Sequence, residues 1–136
     1  MKRHRTEIQV RFADTDALGH INNAVYATYA ELGRVEFMRG LGIAPGGFIL
    51  ARLALDYRRQ VRLGERVSVE TWVERVGNSS VTMRQVVLAG AEGATEVAAE
   101  VEAVAVTFDY AAGRPGRVPD EMRELFLNWR GEARER

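Results

Sequence analysis

The sequence predicts an α+β domain in which one long helix lies against a five-stranded antiparallel sheet and a short helix ends the chain. One stretch carries apolar residues at offsets of three and four, which is typical of a helix with one buried face. Five other stretches, one before this helix and four after it, alternate apolar with polar or small residues, as half-buried strands do. The turn signal Asn78-Ser79-Ser80 and a loop with two Gly over Ala89–Thr95 separate the last three strands, so antiparallel connections are expected between them.

The first strand is expected over Glu7–Ala13, and the long helix over about Asn23–Arg39. The apolar face of this helix consists of Tyr26, Tyr29, Ala30, Gly33 and Phe37. Two of these residues are small and would let the helix approach the sheet closely. Gly40 and Gly42 supply the signal that ends the helix.

Four strands and a short helix are expected after the long helix. The strands are predicted over about Phe48–Arg59, Val67–Val73, Val81–Val87 and Val97–Tyr110. In the last strand the apolar phase shifts near Ala103, which predicts a β-bulge. Pro119 is expected to begin the short helix, which runs to about Trp129.

The face of the sheet that lies away from the long helix is predicted to be uncovered. Trp72, Val86 and Leu88 fall on that face, and no predicted element would shield them in a monomer. The edges of a sheet also expose unpaired backbone groups. We therefore expect the chain to self-associate.

The composition excludes several classes of protein. A length of 136 residues predicts one domain over residues 1–136. The 19 basic and 19 acidic residues balance, so no net charge favours nucleic acid or a membrane surface. Cys is absent, which excludes disulfides and Cys nucleophiles, and no set of His, Asp and Glu has the spacing of metal ligands. No apolar run would span a bilayer and none forms a signal region, so the predicted compartment is the cytoplasm.

The turn between the first strand and the long helix carries the candidate chemistry. Asp14–Asn23 contains two carboxylates, one imidazole and two Asn side chains. The free amides at a helix start carry partial positive charge, so this combination can activate water and stabilise an oxyanion. Asp and Asn are also common in capped turns, and a purely structural turn is the alternative interpretation.

The segment Val10–Glu31 resembles the hotdog-fold thioesterases, which include 4-hydroxybenzoyl-CoA, long-chain acyl-CoA and plant acyl-ACP thioesterases. Their pattern, Asp-x-Asp-x-x-Gly-His-(Val/Ile)-Asn-Asn between a strand and an aromatic helix, is matched by Asp14–Asn23. A second family landmark, a strand that ends in Tyr-Arg-Arg, is matched within Leu55–Glu65. The resemblance implies a hotdog fold, in which the sheet wraps around the long helix. It also implies homodimers with one continuous sheet, or tetramers built from two such dimers, and active sites at the dimer interface.

The resemblance implies roles for the residues of the turn. Asp16 aligns with the carboxylate that family members use as nucleophile or general base, and Asp14 is expected to be structural. The backbone N–H of Asn23 is the candidate oxyanion donor, and either Asn22 or Asn23 is expected to cap the helix. His20 would bond the thioester carbonyl or orient Asp16, or else pack in the turn as a structural residue.

Three further side chains receive roles from the same resemblance. Tyr26 is expected to contact the substrate. Gln60 stands where plant-type relatives often carry Glu, which removes a second carboxylate but leaves a group that can bond a carbonyl or water. Glu31, on the helix, is expected to be a buried or interfacial partner for an Arg.

The densest basic cluster of the chain follows the second landmark. Its members can bind the phosphates of coenzyme A, or they can form surface ion pairs with Glu65 and Glu70. The cluster consists of Arg58, Arg59, Arg62 and Arg66.

The resulting prediction is an acyl-CoA thioesterase that releases a free carboxylic acid and CoA without a metal or other cofactor. An acyl-ACP thioesterase is the alternative within the same family. A non-catalytic acyl-CoA-binding hotdog domain is the alternative from another class, and a hydratase or dehydratase is disfavoured by the turn motif.

Overall fold

The computed structural model describes residues 2–131 and contains an antiparallel sheet curled around one long helix. The strands are β1 (His4–Ile8), β2 (Phe48–Tyr57), β3 (Arg66–Val76), β4 (Ser80–Gly90), β5 (Glu96–Asp109) and the two-residue β6 (Arg114–Pro115). The helices are α1 (Val25–Gly40) and α2 (Asp120–Leu127), and two 3₁₀ turns cover Phe12–Asp14 and Pro45–Gly47. The strand order is β1-β3-β4-β5-β2, with β6 beside the end of β5. The predicted hotdog architecture is thereby confirmed.

The predicted first strand is wrong in its position. β1 pairs with β3 from His4 to Ile8, so it begins three residues before the predicted Glu7. The chain then leaves the sheet and forms the 3₁₀ turn Phe12–Asp14, because the Asp14 carboxylate accepts hydrogen bonds from the backbone and side chain of Arg11. This turn brings the polar segment towards the start of α1.

The predicted bulge near Ala103 is also misplaced. The register of β5 against β4 slips between the pairs Val87–Ala99 and Leu88–Val97, which leaves Ala98 as the extra residue in β5. Ala103 itself stays in register with both neighbouring strands. The strand carries apolar residues on both faces near Ala103 without a bulge, because Val104, on the face opposite to Ala103, is itself half-buried.

The apolar face of α1 packs directly on the sheet, as predicted. All five residues of the predicted face are buried. The closest approach is at Gly33, where a Cβ atom would lie 2.6 Å from Cγ1 of Val69 and 3.0 Å from Nε2 of Gln85. No side chain fits in that gap, so Gly33 sets the separation between α1 and β3.

The expectation that Trp72, Val86 and Leu88 would be exposed in a monomer is wrong. They are 1%, 2% and 7% exposed. Ala94, in the β4–β5 loop, packs against them, and the guanidinium of Arg3 stacks on the Trp72 ring with its Cζ atom 3.9 Å from the ring centroid. The sequence pattern missed this cover because both covering groups come from segments that are neither helix nor strand.

With that face covered, the expected self-association would have to use the edges of the described sheet, which are β1 and β2. The apolar side chains of Ile49 and Leu50 in β2 remain 41% and 44% exposed. Neither helix in the described part of the chain is long and apolar enough to cross a lipid bilayer.

The carboxylate of Asp14 anchors the turn to α1. It is 1% exposed, accepts bonds from the Arg11 backbone N–H (3.0 Å) and Nη2 (2.8 Å), and accepts a further bond from the Tyr29 hydroxyl (2.7 Å). Burial alone would raise the pKa of Asp14, but these hydrogen bonds and the Arg11 charge together lower it. Burial and the bond to Asp14 raise the pKa of Tyr29, so its hydroxyl remains a donor. This geometry agrees with the structural role that the sequence analysis gave Asp14.

We expect Gly33→Ala to lower the free energy of unfolding by about 1–3 kcal/mol, because the new methyl group overpacks the contact between α1 and β3. Gly40→Ala is the matched control in the same helix, since its Cβ atom would meet only His4 Nε2, at 3.9 Å. Urea unfolding of both variants checks this. Equal stabilities would contradict the steric account.

We expect Asp14→Asn to lower the free energy of unfolding by about 2 kcal/mol at pH 7, because a buried, charge-assisted set of hydrogen bonds is lost. A lowered folded-state pKa contributes stability above the unfolded pKa of about 3.9, and this contribution is lost as the pH falls through the folded value. The difference between variant and wild type should therefore shrink below about pH 4. Urea unfolding across this range, with the exposed Asp56→Asn as control, tests the prediction. A difference that is constant with pH would contradict it.

Candidate functional site

The turn that follows Asp14 is a closed loop held by backbone hydrogen bonds. The N–H of Asp16 donates to the carbonyl of His20 (2.8 Å), and Thr15 pairs with Ile21 across the loop. Gly19 has φ +83°, a conformation that Gly adopts without strain. The loop therefore has one defined shape, and it presents the side chain of Asp16 from a rigid frame.

The Asp16 carboxylate is oriented by one of its two oxygens. Oδ1 accepts the backbone N–H of Leu18 (2.8 Å) and of His20 (3.3 Å). Oδ2 has no hydrogen-bond partner among the residues that the structure describes, and the side chain is half-buried. A carboxylate with one fixed and one open oxygen can accept a proton from water or attack a carbonyl carbon.

His20 lies beside the segment that follows β2. Its backbone forms a β-bridge with Arg62, and the next residue, Ile21, donates its N–H to the carbonyl of Val61 (2.7 Å). The half-buried ring has no hydrogen-bond partner within residues 2–131. Its role, in chemistry or in packing, stays a prediction.

The predicted capping of α1 by an Asn side chain is wrong. The N-cap position is Ala24, which follows the two expected residues Asn22 and Asn23, and no side chain caps it. Asn22 instead folds back locally: its Oδ1 accepts the N–H of Ala24 (2.9 Å), and its own N–H bonds the carbonyl of Asp14 (2.9 Å). The bond between Asn22 and the Asp14 carbonyl thus fixes the start of α1 relative to the turn.

Asn23, the residue before the N-cap of α1, presents a free backbone N–H. This residue is exposed, and no described residue accepts a hydrogen bond from its N–H. Its carbonyl is held by the hydroxyl of Tyr57 (2.8 Å), at the end of β2. An unsatisfied amide at a helix N-terminus is suited to bind an oxyanion. Sequence reasoning gave Tyr57 no role, although its place in the Tyr-Arg-Arg landmark was the signal that could have found it.

Tyr26, a predicted substrate contact, is 2% exposed. Its hydroxyl accepts the N–H of Val61 (3.1 Å) and donates to the carbonyl of Arg59 (3.3 Å), and its ring meets the edge of Tyr57 at 5.1 Å between centroids. Burial raises the pKa of Tyr26. The hydroxyl therefore ties α1 to the segment after β2, and its proton is already engaged in this arrangement.

Two members of the basic cluster are bound to carboxylates. Arg58 pairs with Glu100 (2.7 Å), and Arg59 pairs with Glu65 (2.6 Å) and Glu96 (3.2 Å). Hydrogen bonding to Glu65 raises the pKa of Arg59. If both arginines contact the substrate as predicted, each guanidinium must bind the substrate while it is paired with these acids.

The other two cluster members, Arg62 and Arg66, are exposed and form no side-chain ion pair with a described residue. Gln60 is also exposed, and its side chain makes no hydrogen bond within the described chain. Of the predicted substrate contacts in this segment, Gln60 and Arg62 are therefore those with available side chains.

Two acids outside the turn, Glu31 and Glu70, were expected to pair with arginines. Glu31 is exposed, so the buried alternative for this residue is wrong, and the interfacial one stays a prediction. Glu70, an expected partner of the cluster, pairs with Arg3 and Arg5 instead. Within residues 2–131, no group of three or more His, Asp and Glu side chains is placed to hold a metal ion.

The known proteins that are similar to this chain over most of its length include the following three. The acyl-acyl carrier protein thioesterase ATL2 of Arabidopsis thaliana chloroplasts is 31% identical over 130 residues, covering 90% of this chain and 68% of that protein. The acyl-CoA thioesterase YbgC of Haemophilus influenzae is 25% identical over 127 residues, covering 88% and 90%. A thioesterase from Thermus thermophilus, whose crystal structure contains coenzyme A and Zn, matches with a TM-score of 0.81 at 36% identity and covers 95% of each chain.

The family comparison agrees with these individual proteins. The sequence model of the thioesterase-like superfamily matches residues 10–126, which include the turn, α1, the four long strands and most of α2. The chain belongs to the thioesterase-like superfamily.

Proposed function

We propose that this protein hydrolyses acyl-CoA thioesters to a free carboxylic acid and CoA. The observation that carries the proposal is that the segment between β1 and α1 contains two available groups, the open oxygen of Asp16 and the free N–H of Asn23. The similarity to a thioesterase whose crystal structure contains coenzyme A supports CoA as the carrier.

The reaction needs a nucleophile at the thioester carbonyl and a donor for the oxygen that becomes negative. In one route Asp16 takes a proton from water, the hydroxide adds to the carbonyl carbon, and the tetrahedral intermediate expels CoA thiolate, which is then protonated. In the other route Asp16 itself adds, CoA thiolate leaves, and water cleaves the resulting anhydride. In both, the N–H of Asn23 stabilises the oxyanion. A single turnover in heavy-oxygen water places label in the Asp16 carboxylate only by the second route.

Two tyrosines keep the reacting groups in place. Tyr57 holds the carbonyl of Asn23, and Tyr26 holds the segment that bridges to His20. Because both hydroxyls bond backbone atoms, the fold sets the position of the oxyanion donor and of the backbone of His20, which carries the imidazole.

The remaining site residues receive roles in binding. We assign His20 and Gln60 as groups that position the thioester or the water. Arg62 and Arg66 are assigned as contacts to the CoA phosphates, because their guanidinium groups are exposed and unpaired within the described chain.

We further propose that the working form is a homodimer joined through β2, with pairs of dimers forming a tetramer. In the described sheet β2 is an edge strand with exposed apolar side chains, and such edges readily pair with a second copy. In this arrangement the partner's chain would complete the substrate site beside Tyr57. A single domain over residues 1–136 and a cytoplasmic location also stay proposals from the sequence.

An acyl-ACP thioesterase is the second candidate. It is favoured by the relative that is 31% identical, and by the finding that two of the four clustered arginines are already bound to carboxylates. A carrier protein presents one phosphate at the tunnel mouth and so needs fewer cations there than the nucleotide phosphates of CoA do.

We expect Asp16→Asn to reduce hydrolysis of acyl-CoA by at least ~100-fold, the scale of a lost general base. The Asn oxygen can still accept the N–H of Leu18, so the turn and substrate binding should persist. Thiol release measures the rate, and Asp56→Asn, an exposed acid of β2, is the control. Wild-type turnover in Asp16→Asn would move the chemistry to another acid.

We expect the double variant Arg62→Ala/Arg66→Ala to raise KM for acyl-CoA by about tenfold with little change in kcat, because contacts to remote phosphates act equally on substrate and transition state. The effect should shrink in high salt and be absent for an acyl-pantetheine without the nucleotide. Arg114→Ala, an exposed arginine of β6, is the control. Equal losses on both substrates would make the pair structural, and no loss on either would favour the acyl-ACP candidate.

A further inference from the structure

Arg34 is a buried cation without an anionic partner among the residues that the structure describes. It lies on α1, is 7% exposed, and donates from Nη1 to the side-chain oxygen of Gln85 (3.1 Å). A guanidinium has five N–H donors, and a buried charge without a counter-ion is strongly unfavourable. No nitrogen of Arg34 is among the fully buried donors that lack a partner, so its remaining N–H groups reach the surface, where an anion can bind them.

The side chain of Gln85 holds Arg34 in a fixed direction. Its Nε2 donates to the carbonyl of Ala30 (2.8 Å) and to Oγ1 of Thr71 (3.0 Å), which leaves its oxygen to receive Arg34. All three bonds are buried. Arg34 also lines a cleft between α1 and β2, whose walls include Leu50, so an acceptor can approach from that side.

The same cleft carries a carboxylate without a basic partner in the described chain. Glu31 lies one turn before Arg34 on α1 and also lines the cleft. It is exposed and makes no ion pair within residues 2–131. Burial lowers the pKa of Arg34, and the charge of Glu31 opposes that effect although the two groups form no ion pair. One flank of α1 thus presents a carboxylate and a guanidinium that form no ion pair with the described residues.

The strand beside this cleft is the better of the two sheet edges for pairing. β2 has ten residues, of which only Arg52 and Asp56 are charged. β1 has five residues and carries Arg5 and Glu7. Long apolar edges pair with other chains, whereas short and charged edges resist pairing. The β2 edge therefore favours a second copy of this chain as the occupant of the cleft side.

We infer that, in the dimer proposed above, Arg34 of each copy forms an ion pair with Glu31 of the partner subunit. Antiparallel pairing of β2 with its copy places the two α1 helices on the same side of the joined sheet, related by a two-fold axis. In a two-fold interface every contact occurs twice with the two copies exchanged. If Arg34 of one copy meets Glu31 of the other, the reverse pair forms as well. The inference rests on the proposed dimer and gives the buried guanidinium its missing anion.

Charge reversal tests the pairing. Glu31→Arg sets like charges together at both contacts, and the dimer dissociation constant should rise at least ~100-fold, since like charges in an interface repel. Arg34→Glu should weaken the homodimer in the same way. A mixture of the two variants should form a heterodimer as tight as the wild-type dimer, because both contacts then join opposite charges. Light scattering over a dilution series and native mass spectrometry of differently tagged chains measure this.

Glu36→Arg is the matched control, because Glu36 is an exposed acid of α1 that lines a different cleft and pairs with Arg39. It should leave the dissociation constant unchanged. Should Arg34→Glu fail to fold, as judged by circular dichroism, Glu31→Arg alone decides, since its site is exposed. An unchanged Glu31→Arg dimer would overturn the inference.

Two further outcomes separate this inference from the proposed function. A monomer that hydrolyses acyl-CoA would overturn the ion pair and leave the hydrolase assignment intact. The ion pair would also be overturned if Glu31→Arg stayed dimeric while Arg34→Gln lost activity only on CoA thioesters whose acyl chain carries a second carboxylate. Arg34 would then be assigned to binding of that acyl group.

Discussion

The buried carboxylate of Asp14 is the contact on which the candidate active turn depends. Its side chain joins Arg11, in the segment that leaves β1, to Tyr29, in the second turn of α1. The carbonyl of the same residue accepts the N–H of Asn22. Without these hydrogen bonds the turn would not be held against the helix, and the position of Asp16 would no longer be set. The cost of burying one charge is offset because each of its oxygens has a donor.

The two acids of the motif differ in what surrounds them, and this difference supports the proposed division of their roles. Asp14 is enclosed and has a partner for both oxygens, so it has little to offer a substrate. Asp16 is half-buried and uses only one oxygen to hold the turn. The two residues lie only two positions apart, but they occupy different surroundings because the 3₁₀ turn ends between them.

The fold joins this turn to the far end of β2. Tyr26 and Tyr57 reach the site from α1 and β2, and the hydroxyl of each bonds a backbone carbonyl of the opposite segment. The end of an edge strand is thereby fixed even though its neighbouring residues are exposed. A second copy paired along that edge would meet a preformed surface, so that dimerisation would add side chains to the site without reshaping the turn.

The sequence by itself determined the order of elements, the buried face of α1, and the acid, imidazole and amide of the turn. These follow from local rules, because periodicity reports burial and a strand-to-helix turn brings its own residues together. Only the tertiary structure decided that β1 begins at His4, that Ala24 occupies the N-cap and that two of the clustered arginines pair with carboxylates. It also showed that a loop and Arg3 cover Trp72, and that Arg34 is buried without an anion among the described residues. Each of these depends on which distant segments meet, and the spacing of residues along one chain carries no signal for that.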